Sequence, residues 1–291
     1  MKVIKAKTLG FCMGVRRAVE LAFNEAKQAN GSPVYTFGPL IHNPKVLNDL
    51  NDKGIKTLDE LPQDCENCTV IIRAHGISLQ LENELRAKGC RIIDATCPKV
   101  KASQLKTEEL SRAGYCIFLA GENAHAEIEG IKGYAACTNE CFCEIAGSAQ
   151  EALKKAKNLY NKNHDAKTAL LGQTTISEDE YRVIGEKIGL FFPNLEIVQT
   201  ICAATKERQN ALRDLLLEVD AVIIAGGKNS ANTRRLLAIA QECGKPAVLA
   251  QDASEIPQNF FSYETVGICA GASTPDSVIE EIEAALKTYS K

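Results

Sequence analysis

Short apolar runs alternate along the chain with stretches of helical period. VIIRAHG is followed by ISLQLENELRAKG, and AVIIAGG by NTRRLLAIAQECG. A brief apolar run suits a strand covered on both faces, and the amphipathic stretch behind it suits a helix laid on the sheet. Repeated β-loop-α of this kind predicts an α/β fold of mostly parallel sheets with helices outside. At least six such units can be counted by their loops: FGPLIHNP (37–44), RAHGIS (73–78), AGENAHAE (120–127), GQTTIS (172–177), GGKNSANT (226–233) and AGASTPD (270–276). Each loop is Gly-rich and carries His, Ser, Thr or Asn. Ligands of open parallel sheets bind at the C-terminal ends of the strands, so six polar loops of one character predict a single large site.

A second repeat overlies the first. Cys12, Cys97 and Cys202 each sit just past an apolar run and open a helix, with a basic residue four places later (Arg16, Lys101, Lys206) in the shared form C-x-x-[VT]-[RK]. Their spacings of 85 and 105 residues divide the chain into three comparable parts. The expectation is three pseudo-symmetric βα modules: 1–97 with the N-terminal strand and Cys12, 98–200, and 201–291 with a C-terminal helix. Small buried hydrophobes in ordinary βα units would produce the same cysteine pattern.

Composition narrows the function. Lys plus Arg number 34 against 37 Asp plus Glu, a net charge of −3, and aromatic residues make up 5% with no Trp. Neither a basic field for a phosphate backbone nor a stacking platform for bases is present, so nucleic acid is not the expected partner. No signal peptide or stretch of 18 apolar residues is evident, so no membrane span and a cytoplasmic location are expected. In a reducing compartment twelve cysteines point to metal, cluster or thiol chemistry rather than disulfides.

Three thiolates near helix N-termini can hold zinc, or a 4Fe-4S cluster with one iron free of protein sulfur. CENC (65–68) has metal-ligand spacing, but no second CxxC follows it; CTNECFC (137–143) brings three thiols close in sequence and is a candidate second metal site. Cys90, Cys116, Cys243 and Cys269 lie in or beside apolar runs and are expected as core fillers. His125 and Glu127 open one helical segment together, an arrangement suited to proton delivery and equally to a solvated helix start. His42 and His75 occupy corresponding positions in two other loops. GGKNSANTRR and AGASTPD have the make-up of anion-binding turns, with phosphate or diphosphate favoured, although neither ends as a Walker A sequence and helix capping alone accounts for either.

TLGFCMGVRRAV, GPLIHNP, RAHG, DATCP, AGENAHAE, GQTT, TICAAT with RQ shortly after, GGKNSANT and AGASTPD, in this order over residues 8–276, resemble the LytB family of 4-hydroxy-3-methylbut-2-enyl diphosphate reductases. The resemblance implies a three-lobed α/β fold around a central iron-sulfur cluster. It also implies reductive loss of a hydroxyl from an allylic diphosphate, the last step of the methylerythritol phosphate route to isoprenoids. Cys12, Cys97 and Cys202 would hold a 4Fe-4S cluster; His42, His75, His125, Ser230, Asn232 and Ser273 would line a diphosphate pocket. Glu127 would deliver a proton, with His125 and Thr174 beside it and Thr174 near the substrate hydroxyl. Electrons would come from a donor such as a ferredoxin or flavodoxin. Ala231 departs from the family pattern, where a second serine often follows the first. Some bacterial relatives carry appended S1-type modules; none is expected here, the sequence ending at Lys291. Two other readings of the same cysteines stay open: a non-redox zinc or iron-sulfur hydrolase or dehydratase of a small phosphorylated alcohol, and a thiol-regulated binding protein.

Overall fold

Among the described residues of the computed structural model (1–29, 31–60, 65, 67–135 and 142–288), strands and helices alternate from end to end. The chain runs through β1 (Lys2–Lys5), α1 (Met13–Gln28), β2 (Val34–Phe37), α2 (Pro44–Asp52), β3 (Ile55–Leu58), β4 (Thr69–Ile72), α3 (Leu79–Ala87) and β5 (Arg91–Asp94). It continues through α4 (Pro98–Arg112), β6 (Cys116–Ala120), α5 (Ala126–Ala135), β7 (Cys143–Ala146), α6 (Ala149–Lys162), β8 (Thr168–Gly172), α7 (Glu178–Gly189) and β9 (Glu196–Ile197). The last part holds α8 (Ala203–Leu216), β10 (Ala221–Ala225), α9 (Ala231–Glu242), β11 (Ala247–Ala250), β12 (Thr265–Ala270) and α10 (Asp276–Thr288). No helix among these is long and apolar enough to cross a membrane.

The strands form three four-stranded sheets, ordered β3-β2-β4-β5, β7-β6-β8-β9 and β1-β12-β10-β11, and every pairing is parallel. The apolar runs explain the central strands. β4, β8 and β10 are buried along their whole length, as expected where helices cover both faces. Alternation sorts their side chains: Ile223 and Ala225 face Val278 and Ile282 of α10, while Val222 and Ile224 face Leu212 of α8 and Leu236 of α9. In the second sheet Phe118 and Leu170 pack with Leu159 and Ile184, and Ile117, Leu119 and Leu171 pack with Ile128 and Ile131. The six strands that precede the six polar loops are β2, β4, β6, β8, β10 and β12, so every one of those loops lies at a C-terminal strand end.

All three sheets share one strand order. Written a to d along the repeat, the first two run b-a-c-d, and the third does too once β1 takes the place of its fourth strand after β10, β11 and β12. The expected assignment of the N-terminal strand to a 1–97 module is therefore corrected: β1 pairs with β12, from Lys2 opposite Thr265 to Lys5 opposite Ile268. The physical reason lies in the repeat, which ends on a strand followed by a cysteine, and the chain begins with that closing strand. Two compact units result, one of Met1–Val19, Ile41–Lys53 and Ala203–Lys291, the other of Glu20–Leu40 and Gly54–Cys202.

Candidate active site

Each repeat places its cysteine in the same way. Cys97 is the N-cap of α4, with Pro98 at the first helical position; Cys202 immediately precedes α8, and Cys12 immediately precedes α1. The backbone N–H of each donates to a carbonyl two residues beyond the third strand of its own repeat: Cys97 to Ala74 at 2.9 Å, Cys202 to Thr174 at 3.0 Å and Cys12 to Ala272 at 3.1 Å. None of the three is in a disulfide, and all are partly exposed. The Val15 N–H approaches Cys12 Sγ at 3.5 Å. The basic residue of the shared motif has other work at Lys101, whose ammonium meets Asp94 and the Tyr134 hydroxyl.

In the larger unit a carboxyl, two histidines and a threonine gather around Cys97 and Cys202. Glu127 is 2% exposed; its Oε1 accepts the Thr174 N–H at 2.6 Å, and its Oε2 lies 3.0 Å from Thr174 Oγ1. Desolvation pushes its pKa up to about 7, with the two Thr174 contacts pulling the other way. Such a carboxyl holds and gives up a proton near neutrality. Since the Thr174 carbonyl accepts the Cys202 N–H, one residue joins the acid to a candidate ligand. His125 Nδ1 accepts the Glu127 N–H at 3.1 Å, which leaves Nε2 to carry the proton of a neutral imidazole and makes that face of the ring a donor. Ala124, at φ 60°, has the only positive φ outside glycine among the described residues and turns the chain for this contact. The His75 and His125 rings meet edge to face with centroids 5.5 Å apart.

Loop-to-loop contacts hold this arrangement. Gln173 Oε1 accepts the Glu122 N–H, and the Gln173 N–H donates to the Ala120 carbonyl at 2.7 Å. Gly121 is needed there, since a Cβ on it would lie 2.8 Å from both Gln173 Cβ and Ile128 Cδ1.

In the smaller unit four predicted residues share one sheet end. Ser230 caps α9, its Oγ accepting the Thr233 N–H, and Ser273 Oγ donates to it at 3.4 Å. Asn232 is buried, and neither its amide nitrogen nor its oxygen has a hydrogen-bond partner. A buried amide without a partner costs stability, and one beside two hydroxyls at a helix start is arranged for an anion. Ala231 is the first residue of α9, so its N–H belongs to the same unbonded turn. His42 reaches this end through its backbone: a Cβ on Gly227 would strike the His42 carbonyl oxygen.

Sequence reasoning missed the brace behind Cys12. The buried guanidinium of Arg208 donates to the Gly10 carbonyl at 2.7 Å and to the Ala204 carbonyl at 2.9 Å; the only signal was its place in the RQ pair after TICAAT. Gln173 was visible inside GQTT without a role. Cys243, expected in the core, is exposed at the C-cap of α9, and Cys116 is only partly buried, while Cys90 and Cys269 are buried as expected. In CTNECFC, Cys137 and Cys141 lie outside the described residues, and Cys143 opens β7.

The family described as LytB protein matches residues 3–287. A 4-hydroxy-3-methylbut-2-enyl diphosphate reductase of Treponema denticola is 44% identical over 290 residues, covering 97% of this chain and 98% of its own. Among solved structures, the E-1-hydroxy-2-methyl-but-2-enyl-4-diphosphate reductase of Plasmodium falciparum superposes with a TM-score of 0.89 at 27% identity, over 97% of this chain and 87% of its own. A second, an (E)-4-hydroxy-3-methyl-but-2-enyl diphosphate reductase described as the terminal enzyme of the non-mevalonate pathway, gives 0.71 at 38% identity, over 99% of this chain and 100% of its own.

Proposed function

The chain belongs to the LytB family, and from that membership we propose that it reduces 4-hydroxy-3-methylbut-2-enyl diphosphate to isopentenyl and dimethylallyl diphosphates. Two electrons and two protons enter; the allylic C–O bond breaks, a C–H bond forms at one end of the allyl system or the other, and water leaves. The observation that carries the reading is the buried Glu127 carboxyl, with a pKa near 7, bonded through Thr174 to the backbone of Cys202.

Cys12, Cys97 and Cys202 suit a thiolate-held cluster, being outside any disulfide, partly exposed and each at a helix start. When bound there, a 4Fe-4S cluster supplies the electrons and an iron without protein sulfur, drawing on an external donor of the ferredoxin or flavodoxin class. Glu127 gives its proton to the departing hydroxyl so that it leaves as water, while Thr174 holds the carboxyl and presents its own hydroxyl to the same chain. His125 donates through Nε2 to a phosphoryl oxygen, and His42, His75, Ser230, Asn232 and Ser273 are assigned to the same diphosphate. The unpartnered Asn232 amide favours an anionic ligand, because its NH2 group gains in the complex a hydrogen bond it lacks in the free protein.

The test is an anaerobic assay of the iron-loaded enzyme with a reduced viologen and the hydroxylated diphosphate. Consumption of two reducing equivalents per product is expected. Turnover without reductant would mark a dehydratase or hydrolase instead, and no turnover with either would overturn the assignment.

A further inference from the structure

Three cysteines that this reaction does not use meet at the other end of the first sheet, before the N-termini of β4 and β5. Cys68 directly precedes β4 and Cys90 directly precedes β5; the strands pair with Thr69 opposite Arg91, and the Arg91 N–H donates to the Cys68 carbonyl at 3.0 Å. Cys65 is brought back over them by a turn in which the Cys68 N–H donates to the Cys65 carbonyl. The three sulfurs all lie within 4.8 Å of one another. Their residues are 3%, 6% and 9% exposed, packed with Phe37, Val70, Ile77 and Leu85. His75 and Cys97 stand beyond the C-terminal ends of the same strands, roughly 13 Å away at ~3.3 Å per residue. This group is thus separate from the candidate active site.

Three is the wrong number for disulfides. Cys65 and Cys68 are joined here and Cys90 remains a free thiol, so one sulfur is always left against a bond it can attack. A single thiophilic ion satisfies all three at once. Four ligands placed tetrahedrally at about 2.3 Å from zinc stand about 3.8 Å apart, within the spread these sulfurs already have. The C-x-x-C turn supplies two ligands at the usual zinc spacing.

We infer that Cys65, Cys68 and Cys90 form a zinc(II) site that stabilises the first sheet. It forms once the Cys65–Cys68 bond is reduced. A dithiol reductant supplies two electrons and two protons to make two thiols and is itself oxidised to a disulfide; zinc then displaces the three thiol protons, and water takes the fourth position.

The iron-loaded enzyme, reduced anaerobically with a dithiol, is incubated with zinc chloride and desalted. Metal analysis should find one zinc per chain, and zinc-edge X-ray absorption should show three sulfurs at about 2.3 Å, a readout blind to iron. Cys90→Ser should lower retained zinc at least tenfold with iron content unchanged. Loss of all zinc on desalting, zinc unaffected by Cys90→Ser, or a shell of nitrogen and oxygen would each overturn the site. Should Cys90→Ser fail to fold, the sulfur count decides in parent protein whose iron content is full and stays full on zinc loading, so that Cys12, Cys97 and Cys202 are taken: three sulfurs then support the site, and fewer overturn it.

Discussion

Glu127 shows how one residue acquires chemistry that its sequence neighbours only hint at. Its carboxyl is neutral over a range where an exposed one is ionised, because burial removes water that no cation replaces. Turnover that depends on the acid form should fall as pH rises through about 7. Glu127→Gln should remove that limb and lower turnover by about 10²–10⁴, with iron content kept; a rate near the parent's would take Glu127 out of the proton path. The same shift acts on stability. The raised pKa lets the folded protein bind the proton more tightly than the unfolded chain, so the contribution is whole below the ordinary value of 4.5 and is lost as pH rises through about 7. The thermal midpoint of Glu127→Gln should therefore gain on the parent between pH 5 and pH 8, and a constant difference would refute the buried titration. The positions of His125, Glu127 and the three cysteines proposed as cluster ligands were legible because each stands beside a punctuated strand-to-helix junction. Arg208 and Cys90 were not: one acts on Gly10 from the far end of the chain, and the other joins CENC only through the pairing of β4 with β5.

At the scale of elements, the strand-end loops owe their positions to contacts between backbones. Gly227 lies where any Cβ meets the His42 carbonyl, a backbone atom that no rotamer change can move aside. Gly227→Ala should force the two loops apart, costing about 1–3 kcal/mol and raising KM for the diphosphate more than it lowers kcat. Gly189, with nothing within 4 Å of its would-be Cβ, supplies the contrast: Gly189→Ala should leave KM unchanged, and equal effects at the two sites would refute the close-approach account. The central strands and the six strand-end loops could be read from apolar runs ending in Gly-rich polar segments. The partners β3, β7 and β11 could not, since IKTL, CEIA and AVLA are short and carry no distinguishing punctuation. Which sheet β1 joins was hidden for another reason: its KVIK sequence is compatible with any edge, and its partner lies more than 250 residues away.

For the whole molecule, the shared b-a-c-d order means that the third sheet is completed by the first strand of the chain. Removing residues 1–5 should strip β12 of a hydrogen-bonded neighbour and uncover Ile268 and Cys269. Amide exchange should then quicken in β10 and β12 but not in β6 and β8, which belong to the other unit; uniform protection would show that β1 adds nothing. The arrangement also sets a timetable for birth on the ribosome. Lys2–Lys5 emerges well ahead of its partner Thr265–Ala270, and at 5–20 residues per second the wait is roughly 13–53 s. The two middle sheets can close while translation proceeds. The segment carrying Cys12, made before those of Cys97 and Cys202, is tied down after them, so a nascent chain stalled before residue 265 holds Cys97 and Cys202 in their finished turns with the third thiol still adrift.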